Sequence, residues 1–514
     1  MADLPLSRAT TVVADDCRDS ELSPPHSWVR NLVLYCWALL AIGAAIGAWS
    51  VATPLMAAPD EPAHAVEAAA AVRGQLELRS PSHVVRVPAW VASTQALPAC
   101  FIYFPPATAG CSPSVKSGTE AVTTETQFTN YPPLYYFFVG IPSLLARGAP
   151  AVYAMRMVGS LVNSALIALG LFLVIRYHPR RRLFAGVLVA LSPMVFFLSS
   201  VLNSSGMEIA AAFAAWCGGL CVIAHRPVPS ALGAWTALAF AVLMLSRPIS
   251  PANAAVIIVT LGIMAGWSRC KELARDRGTF PIRLSIAVTL LVACVQVAIG
   301  GFPAIPGTPL RPPLSLLGSI WLTLRLTEDR LRQAIGNFGW MQVPLPEAIF
   351  AVWSAVAAVL VAAGLYVSSR YRRALPFLAF VIVVMPIIIE SPKIDTAGAF
   401  WQGRYWLPVL IGVPLVAASQ LSARKQAANR TFAIGVVALG LVLAVAQVWA
   451  FVVALHRYEY GLGAGPGTKA SWAPPGGALL VTGLFVLGLV LLLGFIAFAA
   501  TAAPGGGRVG RPHN

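Results

Sequence analysis

The sequence predicts an all-α polytopic integral membrane protein with about 12 transmembrane helices and a long first extracytoplasmic loop that carries juxtamembrane helices. Three observations predict it. Hydrophobic side chains make up 58% of the 514 residues and charged ones only 11%, against about 25% charged in soluble chains. The mean hydropathy is +0.74. Apolar runs near 20 residues, the length needed to cross a bilayer, recur along the chain. These features exclude a cytosolic enzyme, a secreted disulfide scaffold and a disordered chain. An outer-membrane barrel is excluded as well, since the runs are unbroken rather than alternating. The 42 Gly and 40 Pro fit spanning helices, which tolerate both.

The runs are Leu32–Met56, Ala151–Ile175, Leu183–Leu202, Ile209–Ala224, Ala231–Ser246, Ala252–Trp267, Leu284–Phe302, Ala348–Val367, Leu375–Ile389, Leu407–Ser422, Thr431–Leu455 and Ala478–Ala502. The first is longer than a signal-peptide core and follows a polar segment, so it is expected to stay in the mature protein. Pro132–Ala146 is short and Pro-rich and reads as a juxtamembrane or re-entrant helix. With both termini cytoplasmic, most of the surplus Lys and Arg falls on the inner side, as the positive-inside rule requires. The net charge of +16 is therefore a topology signal, with some contact to anionic lipid, and not a nucleic-acid footprint. The chain then divides into a cytoplasmic tail (1–29), a transmembrane domain (30–455, with the first extracytoplasmic loop at 57–150), a loop with the last span (456–503), and a disordered cytoplasmic tail (504–514).

Of eight cysteines, only Cys100 and Cys111 fall outside the membrane and the cytoplasm. An oxidising compartment favours a disulfide between them. Cys17 is cytoplasmic. Cys217 and Cys221 share a helical face without further ligands, so no metal site is expected there.

The spans hold almost no ionisable residues, and no internal repeat is visible. A coupled transporter would need some near the midplane. The misplaced charges gather instead where spans meet the outer surface. Asp60 and Glu61 stand beside His64 in Pro59-Asp60-Glu61-Pro62-Ala63-His64, and Pro62 opens a helix well. Two readings stay open: carboxylates capping a helix, or a general base with the raised pKa of a half-dry interface. Tyr131 and Tyr135 belong to Asn130-Tyr131-Pro132-Pro133-Leu134-Tyr135-Tyr136, which also suits an interfacial aromatic belt. Arg156, Arg247, Arg404 and Lys393 sit at outer ends of spans, where they would bind phosphate or snorkel to headgroups. Trp401 and Tyr405 flank Arg404. Glu208, in Asn203-Ser204-Ser205-Gly206-Met207-Glu208, would line a site or cap a helix. Glu328-Asp329-Arg330 reads as a solvated amphipathic helix.

Together these motifs resemble the GT-C-type membrane glycosyltransferases. With Ser246-Arg247-Pro248, Asn337-Phe338-Gly339-Trp340 and Gln402-Gly403-Arg404-Tyr405-Trp406-Leu407-Pro408, they more narrowly resemble a bacterial family of predicted membrane proteins of unknown function, domain of unknown function 2142. The likeness covers about residues 30–455. It implies an inverting transferase that moves sugar from a polyprenyl-phosphate donor to an extracytoplasmic cell-envelope polysaccharide or glycolipid, in the bacterial inner membrane. It assigns the base to Asp60, with Glu61 as second candidate, and the carrier phosphate to Arg247 and Arg404. Tyr131, Tyr135 and Trp401 would stack on sugar, and His64, Arg156, Glu208, Lys393 and Tyr405 would complete the substrate site. Ser204 stands where the family pattern often has Pro, a departure from that pattern at this turn. A divalent cation, Mg or Mn, would assist at the acidic pair, though no clear ligand set accompanies it. Two alternatives stay open: a lipid-linked saccharide flippase or exporter, and a non-catalytic component of a cell-envelope complex.

Overall fold

The protein is described from a computed structural model, which covers residues 27–76, 83–179, 181–301, 309–310, 313–367, 373–421, 427–465 and 467–501. Cys17, residues 1–26 of the N-terminal tail and the C-terminal tail lie outside this set. Among the described residues every predicted apolar run is mainly helical. Among the described residues nine helices are long and apolar enough to cross a membrane, or ten if one bent pair is a single span.

The shortfall from twelve has local causes. The run at 183–202 splits into Leu183–Ala190 and Pro193–Ser200, bent by 59°, because Pro193 cannot continue the preceding hydrogen-bond ladder. The run at 407–422 splits into Gly403–Leu410 and Gly412–Gln420. The run at 231–246 is a helix of 15 residues, Ser230–Met244, about 23 Å long and short of a full crossing. Ser250–Arg275 kinks at Gly266, where φ is 76°, close to the predicted end of that span.

The first helix, Ser27–Ala52, packs along Gly148–Tyr177 and Gly477–Thr501. Small residues permit the contact: a Cβ on Gly488 would lie 2.6 Å from the Ala45 nitrogen. Without a hydrophobic drive between helices in lipid, such close backbone packing does the work. Ser204–Ala224 packs on the other face of Gly148–Tyr177 and is almost entirely buried.

The long first loop folds over one end of the bundle. It contains the helix Glu61–Ala71, a ribbon in which Val84–Pro88 pairs antiparallel with Ala121–Glu125, and the short helices Leu134–Gly140 and Pro142–Leu145. The last two occupy the segment expected to be juxtamembrane. Cys100 and Cys111 are disulfide-bonded. The loop they close is held by Arg457, which donates to the carbonyls of Ala107 (2.7 Å) and Phe101 (2.9 Å).

Thr327–Gly336 is amphipathic as expected, but it is not wholly solvated. Glu328 faces outward, whereas Arg330 is buried and pairs with Glu390 at 2.8 Å. The same pair receives the Trp401 amide at 2.7 Å and so anchors the segment leading to Arg404.

A candidate active-site cavity at the loop end

Pro59-Asp60-Glu61-Pro62 makes a sharp turn between the first span and the helix Glu61–Ala71. Asp60 holds φ 64°, a left-handed conformation that Asp and Asn tolerate better than most residues. Its side chain makes no cap bond to the helix, so the capping reading fails. Instead Oδ2 accepts from Arg404 Nη2, and Oδ1 lies 3.4 Å from Gln127 Nε2. The turn is pinned from two sides: Asn203 Nδ2 donates to the Pro59 carbonyl at 3.0 Å, and Arg404 Nη1 does so at 3.3 Å.

This turn forms one wall of a cavity of about 610 Å³. His64, Tyr131, Arg247, Lys393, Trp401, Arg404 and Tyr405 line it with Asp60, so eight of the predicted site residues converge. Gln127, Phe128, Asn203, Phe400 and Gln402 complete the polar and aromatic part. Pro248, Ile249, Ala252 and Ile389, from the ends of two spans, form an apolar part.

Arg247 lies over the Tyr405 ring at 4.8 Å and the Tyr131 ring at 5.9 Å. Behind it, Glu208 accepts from Arg247 Nη1 (3.1 Å), Ser250 Oγ (2.7 Å) and Asn253 Nδ2 (2.9 Å). Glu208 is fully buried and off the cavity wall. It orients Arg247 rather than touching a substrate. The Nε atoms of Arg247 and Arg404 are buried without a partner. Three cations thus face one wall carboxylate, which suits an anionic ligand.

Burial alone would raise the Asp60 carboxyl, but the Arg404 guanidinium, helped by His64 and Arg247, outweighs it and holds the pKa below the usual carboxylate range. The raised pKa expected from a half-dry interface is corrected by this pairing. Burial pushes His64 down to about 3 against the pull of Asp60, with Arg404 and Arg247 adding to the drop. The ring is therefore neutral near pH 7. It stacks on Phe128 at 3.8 Å, and its Nδ1 lies 2.9 Å from the Tyr136 hydroxyl.

Three other predicted residues stand elsewhere. Glu61 and Arg156 form a fully buried two-point pair, Nε to Oε1 at 2.6 Å and Nη2 to Oε2 at 2.7 Å. Glu61 also accepts from the amides of Leu202 (3.0 Å) and Ala58 (3.3 Å). Arg156 further donates to the carbonyls of Ser50, Thr53 and Pro54 at the end of the first span. Neither side chain reaches the cavity, so Glu61 as a second base and Arg156 as a phosphate ligand are corrected to a structural clamp. Tyr135 is 1% exposed and off the wall, because its helix turns it toward the bundle. The acidic pair does not fit a divalent cation: the two carboxylates diverge, and each already holds a guanidinium. Among the described residues no three His, Cys, Asp or Glu side chains converge.

Sequence reasoning passed over Asn203, Gln127, Asn253 and the Glu390–Arg330 pair as site elements. The sequence signal for Glu390 was its place beside Lys393, upstream of the Arg404 motif, which gave it no role of its own. Glu67, one turn beyond His64, is 3% exposed, and its Oε2 has no partner. Burial pushes its pKa up to about 7. An acid so shifted destabilises the fold as pH rises from its unfolded value toward 7, because only the unfolded chain ionises freely. Glu67→Gln is therefore expected to raise the melting temperature at pH 8, by the equivalent of roughly 3 kcal/mol at most. The gain should close as the pH falls toward 4.5. Melting curves at several pH values check it, and a pH-independent difference would remove Glu67 as the cause.

No curated protein matches the sequence. Among solved structures the chain is similar to ArnT from Cupriavidus metallidurans in the apo state, at 14% identity and a TM-score of 0.45, over 90% of this chain and 77% of that one. The Asp60 turn, the Asn203 turn, Arg247 and the Gln402–Pro408 segment, which together build the cavity, all fall within residues 44–413, the stretch that matches the predicted membrane protein family DUF2142, and the chain belongs to that family.

Proposed function

We propose that the protein transfers a sugar from a polyprenyl-phosphate carrier to an acceptor hydroxyl in the cell envelope, with inversion. The observation that carries this reading is one cavity at the span ends where Asp60 meets Arg247, Arg404 and Lys393 among aromatic side chains. The resemblance of the Pro59–His64 and Gln402–Pro408 motifs to GT-C-type enzymes supports it. The cavity then faces the extracytoplasmic side of the bacterial inner membrane, with both termini in the cytoplasm.

The apolar part of the wall, at Ile249, Ala252 and Ile389, receives the first isoprene units, and the phosphate rests on Arg247, Lys393 and Arg404. Tyr131, Trp401 and Tyr405 offer ring faces to the sugar. The acceptor oxygen attacks the anomeric carbon from the side opposite the phosphate. The C–O bond to phosphate breaks, the new glycosidic bond forms, and the acceptor proton passes to Asp60. The leaving phosphate keeps the bonding electrons and stays neutralised by the guanidiniums. As the phosphate draws on Arg404, Asp60 loses its main counter-charge and becomes a stronger base.

Purified protein in vesicles, given a panel of radiolabelled polyprenyl-phosphate sugars and a cell-envelope acceptor, is expected to move label to the acceptor and release carrier phosphate. Label that crosses the bilayer unchanged, with no transfer from any donor, would replace this reading with a flippase.

A further inference from the structure

A second cavity, of about 270 Å³, lies behind the helix Gly403–Leu410. Arg404 and Tyr405 on that helix face the first cavity, whereas Leu407 and Leu410 face the second. The break at Ser192, the helix Thr327–Gly336 and the span Glu347–Val367 supply its other walls. The side-chain polar atoms of the wall belong to Ser192, Trp353 and Ser354. Ser192 Oγ donates to the Ala334 carbonyl at 3.3 Å, and Trp353 Nε1 to the Val189 carbonyl at 3.1 Å. The second bond replaces the one that Pro193 cannot give. A buried water needs about two to four polar partners, which this wall does not offer. Left empty, a space of that size deprives its lining of contact atoms, so an apolar occupant fits it. Leu331, Ile335, Phe350 and Ser354 on the wall are half-buried, so the cavity opens beside the span Glu347–Val367. Val352 and Val359 on that span are 36% and 70% exposed, which turns the opening toward the bilayer.

The rim at the Glu347 end carries charge. Arg332 lies over the ring of Phe350, a wall residue, at 4.3 Å. It donates to Glu347 Oε1 at 2.5 Å and to Glu328 Oε1 at 3.1 Å. The two glutamate side chains are 78% and 75% exposed, and together they outweigh the single guanidinium. We infer that the cavity and its rim form a binding site for a phospholipid with a primary-amine head group, one alkyl chain of which lies behind the helix Gly403–Leu410. The phosphate meets Arg332, and the ammonium, with its three N–H donors, meets Glu328 and Glu347. An anionic lipid would bring its charge against both carboxylates, whereas an amine-bearing one is complementary to both signs of the rim. The helix Gly403–Leu410 stands between the chain and the first cavity, so the lipid is a support for the back of the Arg404 helix and not a substrate. The inference does not rest on the proposed transfer reaction.

The test uses the full chain, purified in mild detergent, stripped of lipid and titrated with phosphatidylethanolamine or phosphatidylglycerol of the same acyl chains. Native mass spectrometry counts bound lipid, and thermal unfolding follows the melting temperature. The parent is expected to retain one phosphatidylethanolamine with a several-fold preference over phosphatidylglycerol, and to melt higher with it. Ala357 lines the cavity, and Ala357→Phe is expected to fill it and to lose both the retained lipid and the gain in melting temperature. Glu328→Gln with Glu347→Gln leaves Arg332 unopposed and is expected to reverse the preference toward phosphatidylglycerol. Equal retention of the two lipids by the parent would overturn the inference. So would phosphatidylethanolamine held at full strength by Ala357→Phe, or an unchanged preference in the double variant. Both glutamates are exposed and their surface pairs contribute little to stability, so the double variant decides the question even where Ala357→Phe fails to fold.

Discussion

Asp60→Asn is expected to lower sugar transfer by roughly two to four orders of magnitude, the usual contribution of a general base, while the protein stays folded. Asn accepts the left-handed backbone that position 60 holds at φ 64°, and its amide oxygen can still accept from Arg404 while its NH2 faces Gln127, whose own amide can turn its oxygen inward. It cannot take a proton. Because Asp60 also holds Arg404, the variant must be separated from a simple loss of Arg404 orientation. A double-mutant cycle with Arg404→Gln does this. If Asp60 acts only through Arg404, Asp60→Asn will cost nothing further once Arg404 is gone. If it is the base, most of its cost will remain.

The pH profile supplies a second readout. The acid limb of kcat/KM reports the free enzyme, in which Arg404, with His64 and Arg247, holds Asp60 below the ordinary carboxylate range. Activity should therefore persist as the pH falls through the normal carboxylate pKa and fail only below it. The acid limb of kcat, with donor phosphate competing for Arg404, should lie higher. An acid limb of kcat at or below that of kcat/KM would show that the phosphate does not draw on Arg404.

Arg156→Met is expected to produce the largest loss of stability in the molecule. It leaves the Glu61 carboxyl buried with two backbone amides as its only donors, and it takes the guanidinium from the carbonyls of Ser50, Thr53 and Pro54, of which Pro54 keeps the Ala57 amide. Breaking a buried pair from one side costs about 3–5 kcal/mol, a large part of the total stability of a typical fold. Thermal unfolding in detergent should show little or no cooperative transition. Adding Glu61→Gln to Arg156→Met should restore part of it, because the stranded charge is then gone. A melting temperature within two or three degrees of the parent for Arg156→Met alone would refute the clamp.

The sequence by itself determined the membrane class, the position of every helical run, the long loop, and the short segment before the second span. These follow from local composition: a run of apolar residues must be helical to cross lipid, wherever it packs. It also marked out Asp60, Arg247, Lys393, Trp401, Arg404 and Tyr405, since charges and aromatic rings at span ends stand out against an apolar background. Only the tertiary structure decided which of the marked residues face the cavity. Asp60 and Glu61 are neighbours in the chain and equal as carboxylates. The left-handed turn at Asp60 sends one to Arg404, 344 residues away, and the other to Arg156, 95 residues away. Glu208 and Arg247 divide in the same way, one behind the wall and one on it. Partner choice across such separations depends on helix packing and burial, and no local pattern carries it. The span count turned on backbone breaks that hydropathy does not register: Pro193 broke one run, a second split at Ile411, and a third formed a helix of only 15 residues.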